Sequence, residues 1–111
     1  MRSYYIEEIN QDHIKKFEQY LREQGYQGPI DDIFWLPLPV DTLSERQSDH
    51  LKDCGPYYLA LETGKNWLKL ELLVRARGKI RCECITYATP AQREKMIELL
   101  DDMLKNQDIP V

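Results

Sequence analysis

The residues richest in chemistry are one histidine and three cysteines, His50, Cys54, Cys82 and Cys84. Three sulfurs and an imidazole make an acceptable zinc shell. His50 and Cys54 stand four apart, so on a helix they share one face. Cys82 and Cys84 are the obstacle. On a regular strand, residues two apart lie about 6.5–7 Å from each other along the chain. Tetrahedral zinc about 2.3 Å from each sulfur needs sulfurs only ~3.8 Å apart. Free cysteine is also among the most often buried residue types. The pattern therefore predicts core cysteines and no metal ligands. A metal site would require a bulge or break in the strand that carries Cys82 and Cys84.

A second chemistry would use Cys54 as a nucleophile assisted by His50. Cys54 is expected at the end of its helix, where unpaired carbonyls disfavour a thiolate. Activated cysteines sit instead at helix N-termini or beside cations. No P-loop, dinucleotide fingerprint, serine elbow or metalloprotease helix motif occurs. The carboxylate pairs Asp31-Asp32 and Asp101-Asp102 read as surface charge, and His13 as a solvated first-turn residue. No catalytic residue and no cofactor is assigned.

Two surface features remain. Arg75, Arg77, Lys79 and Arg81 flank Gly78 and concentrate positive charge. Arginine forks match phosphates and carboxylates bidentately, although Glu71 and Glu83 are near enough in sequence to neutralise them. Trp67, Leu73, Ile85 and Tyr87 fall on the outer side of the same strands. A face that apolar needs cover, either from Phe34 to Val40 or from another subunit. Tryptophan, tyrosine and arginine together are also typical of interface centres. Trp67, Leu73, Arg75, Arg77, Arg81, Ile85 and Tyr87 are therefore the expected partner-binding residues.

The elements that position these residues follow from periodicity and caps. Arg2–Ile9, rich in Tyr and Ile, reads as a strand. Asn10 or Asp12 caps a helix over Gln11–Gln24, with Ile14, Phe17 and Leu21 at helical spacing and Gly25 as its stop. Ile33–Leu36 is a short strand placed at an edge by Pro37 and Pro39. Asp41 or Thr42, with Glu45, starts a second helix bearing Leu43, Leu51 and Cys54; Gly55-Pro56 ends it. Tyr57–Glu62 is a strand, and Thr63–Asn66 a turn.

Trp67–Arg77 alternates cleanly, with Leu68, Leu70, Leu72, Val74 and Ala76 on one face. Lys79–Tyr87 alternates again. Matching apolar faces across this hairpin pairs Ala76 with Ile80, Val74 with Cys82 and Leu72 with Cys84. That register implies a three-residue loop, Arg77–Lys79, and sets Arg75 beside Arg81. Thr89, Pro90 and Gln92 form a capping box for the last helix, whose stripe is Met96, Ile97, Leu100, Met103 and Leu104.

The expected fold is one α+β domain over residues 1–111, a two-layer sandwich in the order β-α-β-α-β-β-β-α. Its sheet is mainly antiparallel, with helices on one face. At 111 residues, 42% hydrophobic and 31% charged, the chain falls in the ordinary globular range. A net charge of −4 argues against generic nucleic-acid or anionic-membrane binding. No apolar run reaches the ~20 residues of a membrane-spanning helix. The N-terminus lacks a secretory apolar core, and three cysteines leave one unpaired, so reduced thiols in a cytoplasm are expected. The favoured function is a non-enzymatic binding or protein-interaction module that self-associates through the outer sheet face, with a homo-oligomer or a protein partner as the expected assembly. The alternative is a small-ligand or metal-dependent activity near His50, Cys54 and the basic tip.

Overall fold

The computed structural model describes residues 2–111. Along the chain run β1 (Ser3–Ile6), α1 (Gln11–Glu23), β2 (Ile33–Pro37) and a 3-10 turn (Val40–Thr42). Then come α2 (Glu45–Cys54), β3 (Tyr57–Thr63), β4 (Leu68–Glu71), β5 (Leu73–Ala76), β6 (Thr86–Tyr87) and α3 (Pro90–Asn106). The fold is α+β, with six antiparallel strands and three helices.

Local chemistry sets most helix ends. The Asn10 side chain accepts a hydrogen bond from the Asp12 amide, and Gly25 takes φ +81° just beyond α1. Thr89 and Gln92 close a capping box on α3 with Pro90 in its first turn. The start of α2 differs from expectation. Thr42 is spent in the 3-10 turn, where its hydroxyl donates to Pro39 O, and Ser44 caps the helix through a capping box with Gln47. Of the expected stripe, Cys54 is buried, while Leu43 and Leu51 pack against the core only in part. The second fully buried position of α2 is the polar Gln47.

β3 is central. β2 pairs along one edge of it, and β4 and β5 share the other. β1 pairs with β4, and β6 with β5. Among the described strands β2 pairs with β3 alone, and its other edge is bonded by residues 26–28 through Gly28 N to Ile33 O and Trp35 N to Tyr26 O. Phe34–Pro37 is thus a strand of the sheet and not a cover for its outer face.

The stretch expected as one strand, Trp67–Arg77, is two strands broken at Leu72. Leu61 faces Leu70 while Tyr57 faces Ala76, so four steps along β3 are matched by six on the other side. The two extra residues form a bulge. Because two is even, the alternation survives it. Leu68, Leu70, Leu72, Val74 and Ala76 are all buried on one face.

All three helices cover that face. The Tyr4 hydroxyl donates to Asp101 on α3, Tyr57 to the Gln47 carbonyl on α2, and Thr63 to Glu18 on α1. Phe17, Leu21, Phe34, Leu59, Leu61, Leu70, Leu100 and Leu104 fill the layer between. Among the described residues no helix is long and apolar enough to cross a membrane.

The second arm of the expected hairpin does not form. Residues 77–85 are irregular, and only Thr86–Tyr87 is strand, pairing Leu73 with Tyr87 and Val74 with Thr86. The expected pairs Ala76–Ile80, Val74–Cys82 and Leu72–Cys84 are absent, and Arg81 does not stand across from Arg75. The reason lies in α2. The Gly78 amide donates to Cys54 O at 2.7 Å and the Arg77 amide to Pro56 O at 3.0 Å. The Arg77 bond prolongs the pairing of β5 with β3 by one step, and the Gly78 bond then carries the chain over the end of the helix.

Candidate metal centre

The loop so displaced completes a cluster. Helical spacing aims His50 and Cys54 from one face of α2. Across from them, the Ile85 amide donates to Cys82 O at 3.1 Å, so residues 82–85 close a turn. Turn backbone folds Cys82 and Cys84 toward one point, which extended backbone would not do. One donor atom from each of His50, Cys54, Cys82 and Cys84 lies within 4.8 Å of all the others. The Nδ1 of His50 is 3.1 Å from Cys82 Sγ and 3.9 Å from Cys54 Sγ.

These separations bracket a tetrahedral zinc shell. Zn–S of about 2.3 Å and Zn–N of about 2.0–2.1 Å give edges near 3.6–3.8 Å. The argument against a metal rested on a regular strand, and that premise fails. Cys84 is buried as expected, but Cys82 is only partly so.

Surrounding contacts hold the donors in place. A Cβ on Gly78 would fall 2.6 Å from Asp53 O and 2.8 Å from Cys54 O, so only glycine lets the loop come this close. Gln47 Nε2 donates to Cys84 O at 3.2 Å, and its Oε1 accepts from Ser44 N at 3.0 Å and from Gln92 Nε2 at 2.8 Å. Arg46 reaches Glu83 in the loop at 2.9 Å, but both are well exposed and the pair adds little.

The thiols are not equivalent. Cys82 is pulled down to about 6, first by the Cys84 amide, then by the Cys84 side chain, against the effect of burial and with smaller help from His50 and Cys54. Burial, followed by hydrogen bonds to Cys82 and Cys84, pushes Cys54 up to about 11. Burial also raises the Tyr57 hydroxyl, which faces the same sulfurs. A divalent cation would bring net charge here to −1 with three thiolates, which suits zinc and soft-ligand metals.

The expected partner-binding residues scatter around the outer face. Trp67 packs on Tyr5 with ring centroids 5.7 Å apart, and Tyr87 lies beneath the Arg2 guanidinium at 4.6 Å. Leu73 stands opposite Tyr87 in the sheet. Arg75 is engaged by both carboxylate oxygens of Glu71, at 2.7 and 3.2 Å. Arg77 sits 4.8 Å over the Trp35 ring, and Ile85 lines the same cleft. Arg81 is exposed in the loop.

The sequence reading missed Gln47 and the pairing of Trp35 with Tyr58. Gln47 had a signal, the S-x-x-Q spacing from Ser44. The stack of Trp35 on Tyr58, 4.4 Å between centroids, had none, because it needs the pairing of β2 with β3. The chain matches no protein-family model, no curated protein and no solved structure.

Proposed function

We propose that this protein is a zinc-binding module, in which a Cys3His centre staples the loop 77–85 to the end of α2. One observation carries the reading: four soft donors from two separate chain segments lie within 4.8 Å of one another. Four protein ligands close a tetrahedral shell and leave no position for water, which is the arrangement of structural zinc sites, not catalytic ones. The role is binding, with the loop as the part being held. Free thiols at this spacing fit a reducing compartment such as the cytoplasm.

Here each residue has a task. His50 and Cys54 supply a preformed helical half-site, and Cys82 and Cys84 bring the loop to it. Gln47 orients the Cys84 carbonyl, as partners behind metal ligands commonly do. Ligation deprotonates the thiols, so the affinity falls as the pH is lowered.

Elemental analysis of protein purified under reducing conditions tests the reading, with one equivalent of zinc expected. Cobalt(II) substitution should give tetrahedral d–d bands and thiolate charge-transfer bands. Cys82→Ser or Cys84→Ser should lower affinity by roughly a hundredfold or more. Failure to take up zinc or cobalt by folded, reduced protein would sink the proposal.

A further inference from the structure

The stapled loop does more than cover α2. Its other side forms one wall of a cleft of about 250 Å³ on the outer sheet face. Trp35 and Tyr58 line it from the sheet, beside Arg75 and Ala76, and Arg77, Lys79, Ile80 and Ile85 line it from the loop. Ile80 is 94% exposed, more than any other large apolar side chain among the described residues.

Charge is distributed unevenly around this cleft. The chain carries −4 overall. Yet Arg77, Lys79 and Arg81 have no carboxylate within 4.0 Å among the described residues, whereas the neighbouring Arg75 is neutralised by Glu71. Arg77 is held by the Trp35 ring, which fixes its stem while leaving its N–H groups to an incoming acceptor.

We propose that this cleft binds an acidic peptide segment of a protein partner. Its carboxylate would engage Arg77 and Lys79, while an adjacent apolar side chain rests on Ile80 and Ile85 above Trp35. The proposal rests on the zinc reading for one of its parts, since the metal holds the loop that carries Arg77, Lys79, Ile80 and Ile85.

Charge complementarity selects this occupant. Cations interleaved with isoleucine suit alternating acidic and apolar groups better than a lone phosphate. Arg77 and Lys79, the unpaired cations lining the cleft, are too few for the continuous footprint of a nucleic acid. A second copy docked face to face would set Arg77 and Lys79 against their own equivalents, which like-charge repulsion opposes.

Fluorescence anisotropy with a labelled hexapeptide of alternating glutamate and leucine tests it, using the lysine–leucine peptide as control. In Trp67→Phe protein, Trp35 becomes the sole tryptophan and reports occupancy of the cleft directly. Zinc-loaded protein should bind the glutamate peptide and not the control, more weakly at higher salt. Arg77→Glu should lose at least tenfold with cobalt spectrum unchanged. Chelated protein and Cys84→Ser should also lose about tenfold.

No binding by protein with an intact cobalt spectrum would overturn the cleft while leaving the metal centre standing. Undiminished binding by metal-free protein would overturn the link to the loop. Equal displacement of Trp35 signal by inorganic phosphate would overturn the peptide as ligand. Sedimentation showing self-association that Arg77→Glu abolishes would make a second copy the occupant instead.

Discussion

Gln92 Nε2 donates to Gln47 Oε1 at 2.8 Å, joining two capping boxes 45 residues apart. Each glutamine closes the N-terminus of its own helix, and both are buried. Gln47 in addition holds Cys84 O, so the starts of α2 and α3 and the cysteine loop share one polar network. Every buried side-chain nitrogen and oxygen among the described residues has a partner. Removing one member leaves others buried and unpaired, which costs more than the bond itself.

Gln47→Ala should accordingly lose roughly 2–4 kcal/mol of stability in denaturant unfolding, since it orphans Cys84 O and one of the two N–H groups of the Gln92 amide, the other donating to Thr42 O. Gln92→Ala should lose a similar amount. The double variant should lose clearly less than the sum, because the two share partners. Additive losses would mean that the glutamines act separately.

The metal-free thiols should react in a fixed order. Cys82, pulled down to about 6, is largely thiolate at neutral pH, whereas Cys54, pushed up to about 11, stays protonated and buried. Iodoacetamide should label Cys82 first at pH 7, with a rate that falls as the pH drops through about 6. Zinc should protect it. Peptide mapping that found Cys54 modified first would contradict this assignment.

Two glycines should respond for different reasons. Gly25→Ala strains a residue at φ +81° with open space around its Cβ, so stability should fall by about 1 kcal/mol and zinc affinity should hold. Gly78→Ala drives a methyl into the carbonyls of Asp53 and Cys54, so the loop must lift. Zinc affinity should fall at least tenfold, measured by competition with a chromophoric chelator.

Zinc should also stabilise the whole fold. At a free concentration 100 times Kd the gain is about 2.7 kcal/mol. For a chain of this size that raises Tm by roughly 10–20 °C. Chelation should reverse the shift and open Arg77, Lys79 and Arg81 to trypsin ahead of any site in the helices. An unchanged Tm with an unchanged cleavage order would rule out a stapling role.

Local chemistry along the chain is enough to specify α1, α3 and the buried face of the sheet. Asn10, Gly25 and the box of Thr89, Pro90 and Gln92 act within a few residues of where they stand, so their meaning is legible locally. The alternation from Leu68 to Ala76 named the inward side chains correctly even across the bulge, because a two-residue insertion leaves their facing unchanged. The fate of residues 77–85 was not legible. Ile80, Cys82 and Cys84 alternate as a strand does, and nothing local distinguishes a strand from a loop with the same spacing. The long-range contact settles it: one step past the Arg77–Pro56 bond, the Gly78 amide finds the Cys54 carbonyl at the end of α2. That one long-range docking turns two strand-like cysteines into the missing half of a site whose other half, His50 and Cys54, helical spacing had already placed on one face.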